Sequence, residues 1–242
     1  ADRSLESIEK ITGKTFETID VTAEDDSRKG LRHYFLRVPI RKKDDYLRRL
    51  THIEDFHGLI FFNQLTELGV MEEKLLYRGV PVGSLASDQN KLLRKAALEQ
   101  FKKKMVRALL TTDVAARGLD ITGLPYVVNA EVPLSEEAYL HRSGRTGRMG
   151  NEGIVITLVQ DNNLRDLKRL LRPSNITLEE IFLYGGKLQT EQPTKEDAAP
   201  AVNKKYAKTF SGKEQNPEYN KEKIRKKVKN KSKKERNKGA RR

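Results

Sequence analysis

The chain contains no cysteine. That excludes disulfides and cysteine-ligated metal, and it suits a reducing compartment, so the cytoplasm is the expected location. Its four histidines are scattered without metal-ligand spacing, and no metal site is expected. No apolar run approaches the roughly 20 residues needed to cross a bilayer, so no membrane partner is expected. No signal-peptide pattern opens the chain, and no internal repeat is present. Hydrophobic residues make up only 36% of the 242, low for a chain folded along its whole length.

What is present is an alternation of strand and helix patterns. Strands are expected at Leu31–Pro39, Leu59–Phe62, Val80–Leu85, Val106–Thr111, Tyr126–Ala130, Gly153–Val159 and Leu178–Leu183. Between them, helical periodicity marks Lys42–Thr51, Leu65–Tyr77, Lys91–Lys103, Ser135–Arg142 and Asn162–Leu171. Ser135 can cap its helix, with Glu136 and Glu137 in the favourable first turn. Strands alternating with helices of this length imply an α/β fold, a mostly parallel sheet covered on both faces. About 155 residues suffice for one such domain.

Two stretches carry chemistry. His141-Arg142-Ser143-Gly144-Arg145-Thr146-Gly147-Arg148 places three arginines at a spacing of three, with glycines between them. The guanidinium fork grips phosphate oxygens two at a time, and glycine lets a backbone come close to a ligand. The run therefore reads as a contact to a polyphosphate, a nucleic-acid backbone or both; its plain alternative is a solvated basic loop. Upstream, the apolar run Val106–Leu110 leads into Thr111-Thr112-Asp113-Val114-Ala115-Ala116-Arg117-Gly118-Leu119-Asp120. That strand ends in Thr-Thr-Asp at its carboxyl edge, where open α/β sheets bind ligands. Thr112 and Asp113 also suit an ordinary helix cap.

Together these two stretches resemble motifs V and VI of the DEAD-box RNA helicases, and Gly58-Leu59-Ile60-Phe61-Phe62-Asn63-Gln64 resembles motif IV. The resemblance runs from about Leu31 to about Gly185 and covers only the second, carboxyl-terminal RecA-like domain. It implies a RecA-like open, mostly parallel sheet with helices on both faces over residues 31–186. Residues 1–30 would then be an interdomain linker remnant, and residues 187–242 a linker and a disordered basic tail.

In such helicases ATP lies between two RecA-like domains and RNA lies across both. By resemblance, Arg145 and Arg148 are arginine fingers that neutralise charge on the γ-phosphoryl group during transfer. Asp120 reaches the ribose or the catalytic water, and Gly118 adjoins the nucleotide. His141 and Arg142 couple nucleotide to RNA at the domain interface, with Gly144 and Gly147 allowing close approach. Thr112, Gly118, Arg94, Asn63, Gln64 and Arg142 are the expected RNA contacts. Contacts to phosphate and ribose imply little sequence preference, and contacts to 2′-hydroxyls favour RNA over DNA. For Arg94 and Gln64 the plain alternative is a surface arginine and an ordinary polar residue after a strand. The loop before Arg94 departs from the family, with Leu85-Ala86-Ser87-Asp88 in place of Leu-His-Gly-Asp and Lys91 in place of Gln.

The Walker A loop, the Asp-Glu-Ala-Asp run and the Ser-Ala-Thr run of the first RecA-like domain do not occur. Gly13-Lys14-Thr15 imitates the end of a P-loop, but Ile8 stands where the loop needs a glycine, so a turn is expected. The chain opens at Ala1 and reads as a fragment. ATP with Mg2+ would then be bound mainly by the absent first domain, which is the expected partner, and the fragment alone is expected to be inactive.

The basic character belongs to the tail. Residues 201–242 hold 17 Lys or Arg against four Glu, a net of +13, whereas residues 1–200 hold 31 against 30. Lys204–Arg242 has few apolar residues and no periodicity, so disorder is expected, after a linker at Thr190–Ala201. Such a tail anchors RNA without reading sequence, unless it is merely a solvated extension. Tyr206, Phe210 and Tyr219 are candidates for stacking on bases. Two rival readings are a non-enzymatic RNA-binding half-helicase and the matching domain of a DNA helicase.

Overall fold

The structure, a computed structural model, describes residues 10–15, 30–86, 91–147 and 152–193. Arg148, the tail and most of the expected linker remnant lie outside the described residues. In chain order the elements are β1 (Leu31–Arg37), a 3-10 turn (Ile40–Lys42), α1 (Lys43–Thr51), β2 (Gly58–Phe62), α2 (Leu65–Tyr77), β3 (Val82–Ser84), α3 (Lys91–Lys102) and β4 (Ala108–Thr112). There follow α4 (Asp113–Ala116), β5 (Tyr126–Asn129), α5 (Glu136–Ser143), β6 (Gly153–Val159), α6 (Leu164–Leu171), β7 (Glu179–Glu180), β8 (Phe182–Tyr184) and β9 (Lys187–Gln189).

Seven strands form one sheet in the order β3-β4-β2-β5-β6-β1-β7, every pair parallel. The strand sequences read as continuous apolar runs because both faces are covered. The two-residue side-chain period still sorts them. Ile60 and Phe62 pack with Leu47 of α1 and with Leu68, Met71 and Leu75 of α2. Leu59 and Phe61 pack with Phe101 of α3, Ala115 of α4, Tyr139 of α5 and Leu167 of α6. Thus α1 and α2 cover one face and α3 to α6 the other.

The caps follow the sequence. Ser135 Oγ accepts the Ala138 N–H at 3.1 Å and starts α5. Thr112 Oγ1 accepts the Ala115 N–H at 3.3 Å and starts α4. Residues 10–12 form a helical turn that ends at Gly13, whose φ of 64° places it in the left-handed region, so Gly13-Lys14-Thr15 is a turn.

One element differs from expectation. Leu178–Leu183 was expected as a single strand, but the segment breaks at Ile181. Glu179–Glu180 joins the sheet edge beside Tyr34 and Phe35, and Phe182–Tyr184 leaves it for an antiparallel hairpin with Lys187–Gln189. Gly185 and Gly186, both at positive φ, make the turn. Strand structure therefore extends three residues past Gly186, into the segment expected as linker.

Candidate functional site

Because β4, β2 and β5 are adjacent, their carboxyl ends bring Asp113, Asn63 and Asn129 together. Arg142 reaches all three from α5. Its Nε and Nη2 donate to Asp113 Oδ1 and Oδ2 at 2.7 and 2.6 Å. Nη2 also donates to Asn63 Oδ1 at 2.9 Å, and Nη1 to Asn129 Oδ1 at 3.2 Å. The guanidinium lies 5.3 Å from the centroid of the Phe61 ring. Arg142 is 1% exposed.

Arg142, expected as an RNA contact, is engaged inside the fold. A helical side chain leans toward the start of its helix, which here carries Arg142 over the sheet rather than outward. Its charge is taken up by Asp113, and its donors join three segments of the fold. Asn63, also expected as an RNA contact, is held by three hydrogen bonds. Its Oδ1 accepts from Arg142, its Nδ2 donates to the Val132 carbonyl at 2.9 Å, and its backbone N–H donates to Glu131 Oε2 at 3.0 Å. Asn63 is a support beneath a surface, with its amide engaged inward.

A chain of hydrogen bonds continues from the knot. Asn129 Oδ1 faces Arg142, so its Nδ2 donates to Thr157 Oγ1, at 3.1 Å. Thr157 hydrogen-bonds the Tyr139 hydroxyl, which lies 2.9 Å from His33 Nδ1. Burial pushes the His33 imidazole down to about 4 and the Tyr139 hydroxyl up.

The surface beside the knot is built from the loops after α4 and α5. Leu124 and Thr146 form a parallel bridge, the Thr146 hydroxyl donates to the Leu124 carbonyl, and the Leu124 N–H donates to the Arg145 carbonyl at 3.1 Å. These bonds hold Arg145 against the Gly118–Asp120 loop, where its Nη1 donates to the Leu119 carbonyl at 2.6 Å. Arg145 is half-buried and forms no ion pair among the described residues; Asp120, next to that carbonyl, is exposed. Gly118 is exposed at φ 69°. A Cβ on Gly147 would meet Leu31 and Gly153. His141 is exposed, with Nε2 at 3.9 Å from Glu137.

Arg94 of α3 is half-buried and donates through Nη2 to the Ala115 carbonyl at 2.6 Å, which ties it to α4. The Thr112 side chain is 8% exposed, its oxygen engaged as the α4 cap. Gln64 is exposed at the rim of a cavity of about 380 Å³, also lined by Lys43, Asn63, Glu131, Gln160 and Asn163. The structure thus unites Arg145 with the Asp120 loop and Arg94 with α4, and leaves His141 on the outer side of α5.

Residues 42–150 match the helicase conserved C-terminal domain. The chain is 40% identical over 161 residues to the probable ATP-dependent RNA helicase YfmL of Bacillus subtilis, which covers 66% of this chain and 43% of that protein. The solved C-terminal domain of the DEAD-box protein Dbp5 aligns with a TM-score of 0.56 at 27% identity, over 62% of this chain and 89% of that one. The chain is a relative of the DEAD-box RNA helicases. It carries their second helicase domain, with the RecA-like fold. Dbp5 of S. cerevisiae solved with RNA and ADP BeF3 aligns with a TM-score of 0.62 at 26% identity, over 74% of this chain and 48% of that one. The chain spans less than half the length of the curated relatives it matches, 43% and 46% for the first two.

Sequence reasoning missed Asn129, Thr157, Tyr139 and His33 as parts of this DEAD-box domain's polar interior. Asn129 had a usable signal: it ends the apolar strand Tyr126–Asn129 as Thr-Thr-Asp ends β4. His33 and Tyr139, 106 residues apart, had none.

Proposed function

We propose that this domain is the closing half of an RNA-stimulated ATPase that separates short RNA duplexes or remodels RNA–protein complexes. ATP is held mainly by a first RecA-like domain, and this domain completes the site. Arg145 carries the reading. Its guanidinium is anchored by a main-chain carbonyl, and no carboxylate among the described residues pairs with its charge. A charge poised in that way stabilises a transferring γ-phosphoryl group, an effect worth roughly 10³–10⁵ in rate in related phosphoryl transfers. Arg148, three residues on, acts with it. Asp120 and Gly118, on the loop that anchors Arg145, meet the ribose or the attacking water, and His141 faces the partner domain. Mg2+ comes with the nucleotide on the first domain.

RNA contacts fall to Arg94, Gln64, Thr112 and Gly118, through phosphate and ribose and with little sequence preference. Arg142 and Asn63 support that surface from beneath. The basic tail tethers RNA near the domain, and the protein works in the cytoplasm. Among the described residues no helix is long and apolar enough to cross a membrane.

The test is RNA-stimulated ATP hydrolysis after mixing the chain with a separately made first RecA-like domain of the same protein. Activity that arises only on mixing and is lost in Arg145→Ala or Arg148→Ala supports the reading. Full activity in both variants overturns it.

A further inference from the structure

We propose that the outer face of α6 is an additional RNA-binding surface, gripping the backbone of a strand that runs on past the contacts proposed above. The inference rests on the RNA reading of this domain and adds a site to it.

The described residues hold 26 Lys or Arg against 19 Asp or Glu, a net of +7, and these cations are not evenly spread. Arg165, Lys168, Arg169 and Arg172 stand at positions i, i+3, i+4 and i+7 of α6 and the residue that closes it. That spacing confines them to roughly 100° of arc. All four are exposed, and the opposite face buries Leu167 and Leu171. An ordinary solvated helix face mixes signs and pairs them. The first helix does so: Arg48 pairs with Asp45 at 2.9 Å, and Asp44 takes Arg78 at 2.6 Å. The α6 face does not. Asp166 accounts for Arg169 at 3.1 Å, and Arg37 of β1 draws off the neighbouring Asp161 and Glu180 at 2.7 and 2.8 Å. Arg165, Lys168 and Arg172 are left with no carboxylate partner among the described residues. Lys168 lies 5.9 Å from the Phe35 ring, which holds its stem against the domain.

The occupant follows from the chemistry of the stripe. Three of the four cations are arginines, the side chain suited to bidentate phosphate contacts. From Arg165 to Arg172 the stripe runs about 10 Å, enough for two or three successive phosphates. The tail, at a net of +13, is repelled by this face, so tail and stripe act on a common polyanion rather than on each other.

The experiment uses the full 242-residue chain, a long labelled single-stranded RNA, and the variant Arg165→Gln, Lys168→Gln, Arg172→Gln, checked for folding by circular dichroism. If three phosphate contacts are lost, the salt slope of log affinity falls by about 2. In the unaltered chain, bound RNA should shield Lys168 from amine-modifying reagent. An unchanged slope, or a Lys168 equally reactive with and without RNA, overturns the proposal while leaving the RNA reading intact. Shielding of Lys168 by polyglutamate but not by RNA also overturns it, in favour of an acidic protein partner. Failure of the unaltered chain to bind RNA even at low salt removes the RNA reading itself.

Discussion

The Arg142 guanidinium meets the Asp113 carboxylate side-on, with two nearly parallel hydrogen bonds of 2.7 and 2.6 Å between residues 29 positions apart. The contact fastens the first residue of α4 to α5, the helix before Gly144 and Arg145. Asn63 and Asn129 fix the guanidinium from two further strands.

Removing the carboxylate strands a buried charge. Asp113→Ala should destabilise the domain by about 3–5 kcal/mol. Asp113→Asn should cost less, since an amide oxygen still accepts from Arg142. Urea denaturation measures both, and an Asp113→Ala midpoint equal to that of the parent would show the knot to be inert.

Two neighbouring arginines should behave oppositely. Arg142→Ala is expected to lower the melting temperature sharply, because it opens a cavity and leaves Asn63, Asn129 and Asp113 without their shared donor. Arg145→Ala should change stability by no more than about 1 kcal/mol, since it loses one carbonyl contact on a surface loop. In the reconstituted ATPase it should cost about 10³ or more in rate. Comparable melting losses in the two variants would contradict the division.

Acid should weaken the domain through His33. The imidazole stays neutral in the fold down to about 4, whereas in the unfolded chain it takes up a proton near 6.5. The unfolded state therefore binds more protons between those values, and stability falls as pH drops through that window. The loss is up to about 3 kcal/mol. His33→Gln should flatten this limb of the stability–pH curve, and an unaltered curve would assign the loss to other groups.

Glycines at the two loops should differ in their need to be glycine. An alanine Cβ at Gly153 would lie 2.5 Å from both the Gly147 nitrogen and Thr146 Oγ1, so Gly153→Ala should cost several kcal/mol by forcing backbone apart. Gly118 has open space around it and only a positive φ to satisfy, so Gly118→Ala should cost about 1–2 kcal/mol. Equal costs in thermal denaturation would refute the contrast.

The alternation of strands and helices was legible because each buried strand is a short apolar run and each helix repeats its apolar positions at i, i+3 and i+7. Strand ends were less so. Leu178–Leu183 reads as one strand, and only the pairing of Glu179–Glu180 with β1 and of Phe182–Tyr184 with β9 divides it. Within the site, the motifs marked stretches of chain but not the direction of each side chain. Arg142 and Arg145 look alike in a phosphate-gripping run, yet one turns over the sheet and the other lies along the surface. That choice depends on Asp113 and Asn129, which strand order alone brings beside Arg142. Ser135 and Thr112, whose partners lie three residues on, were legible as caps.

The contact between Gly147 and Gly153 pinches together the two ends of the segment that carries Arg148. Closing a loop whose ends already touch adds little cost as the loop lengthens. Insertions between Gly147 and Gly153 should therefore be tolerated by the sheet, and the helicase family could vary the sequence there to suit different partners.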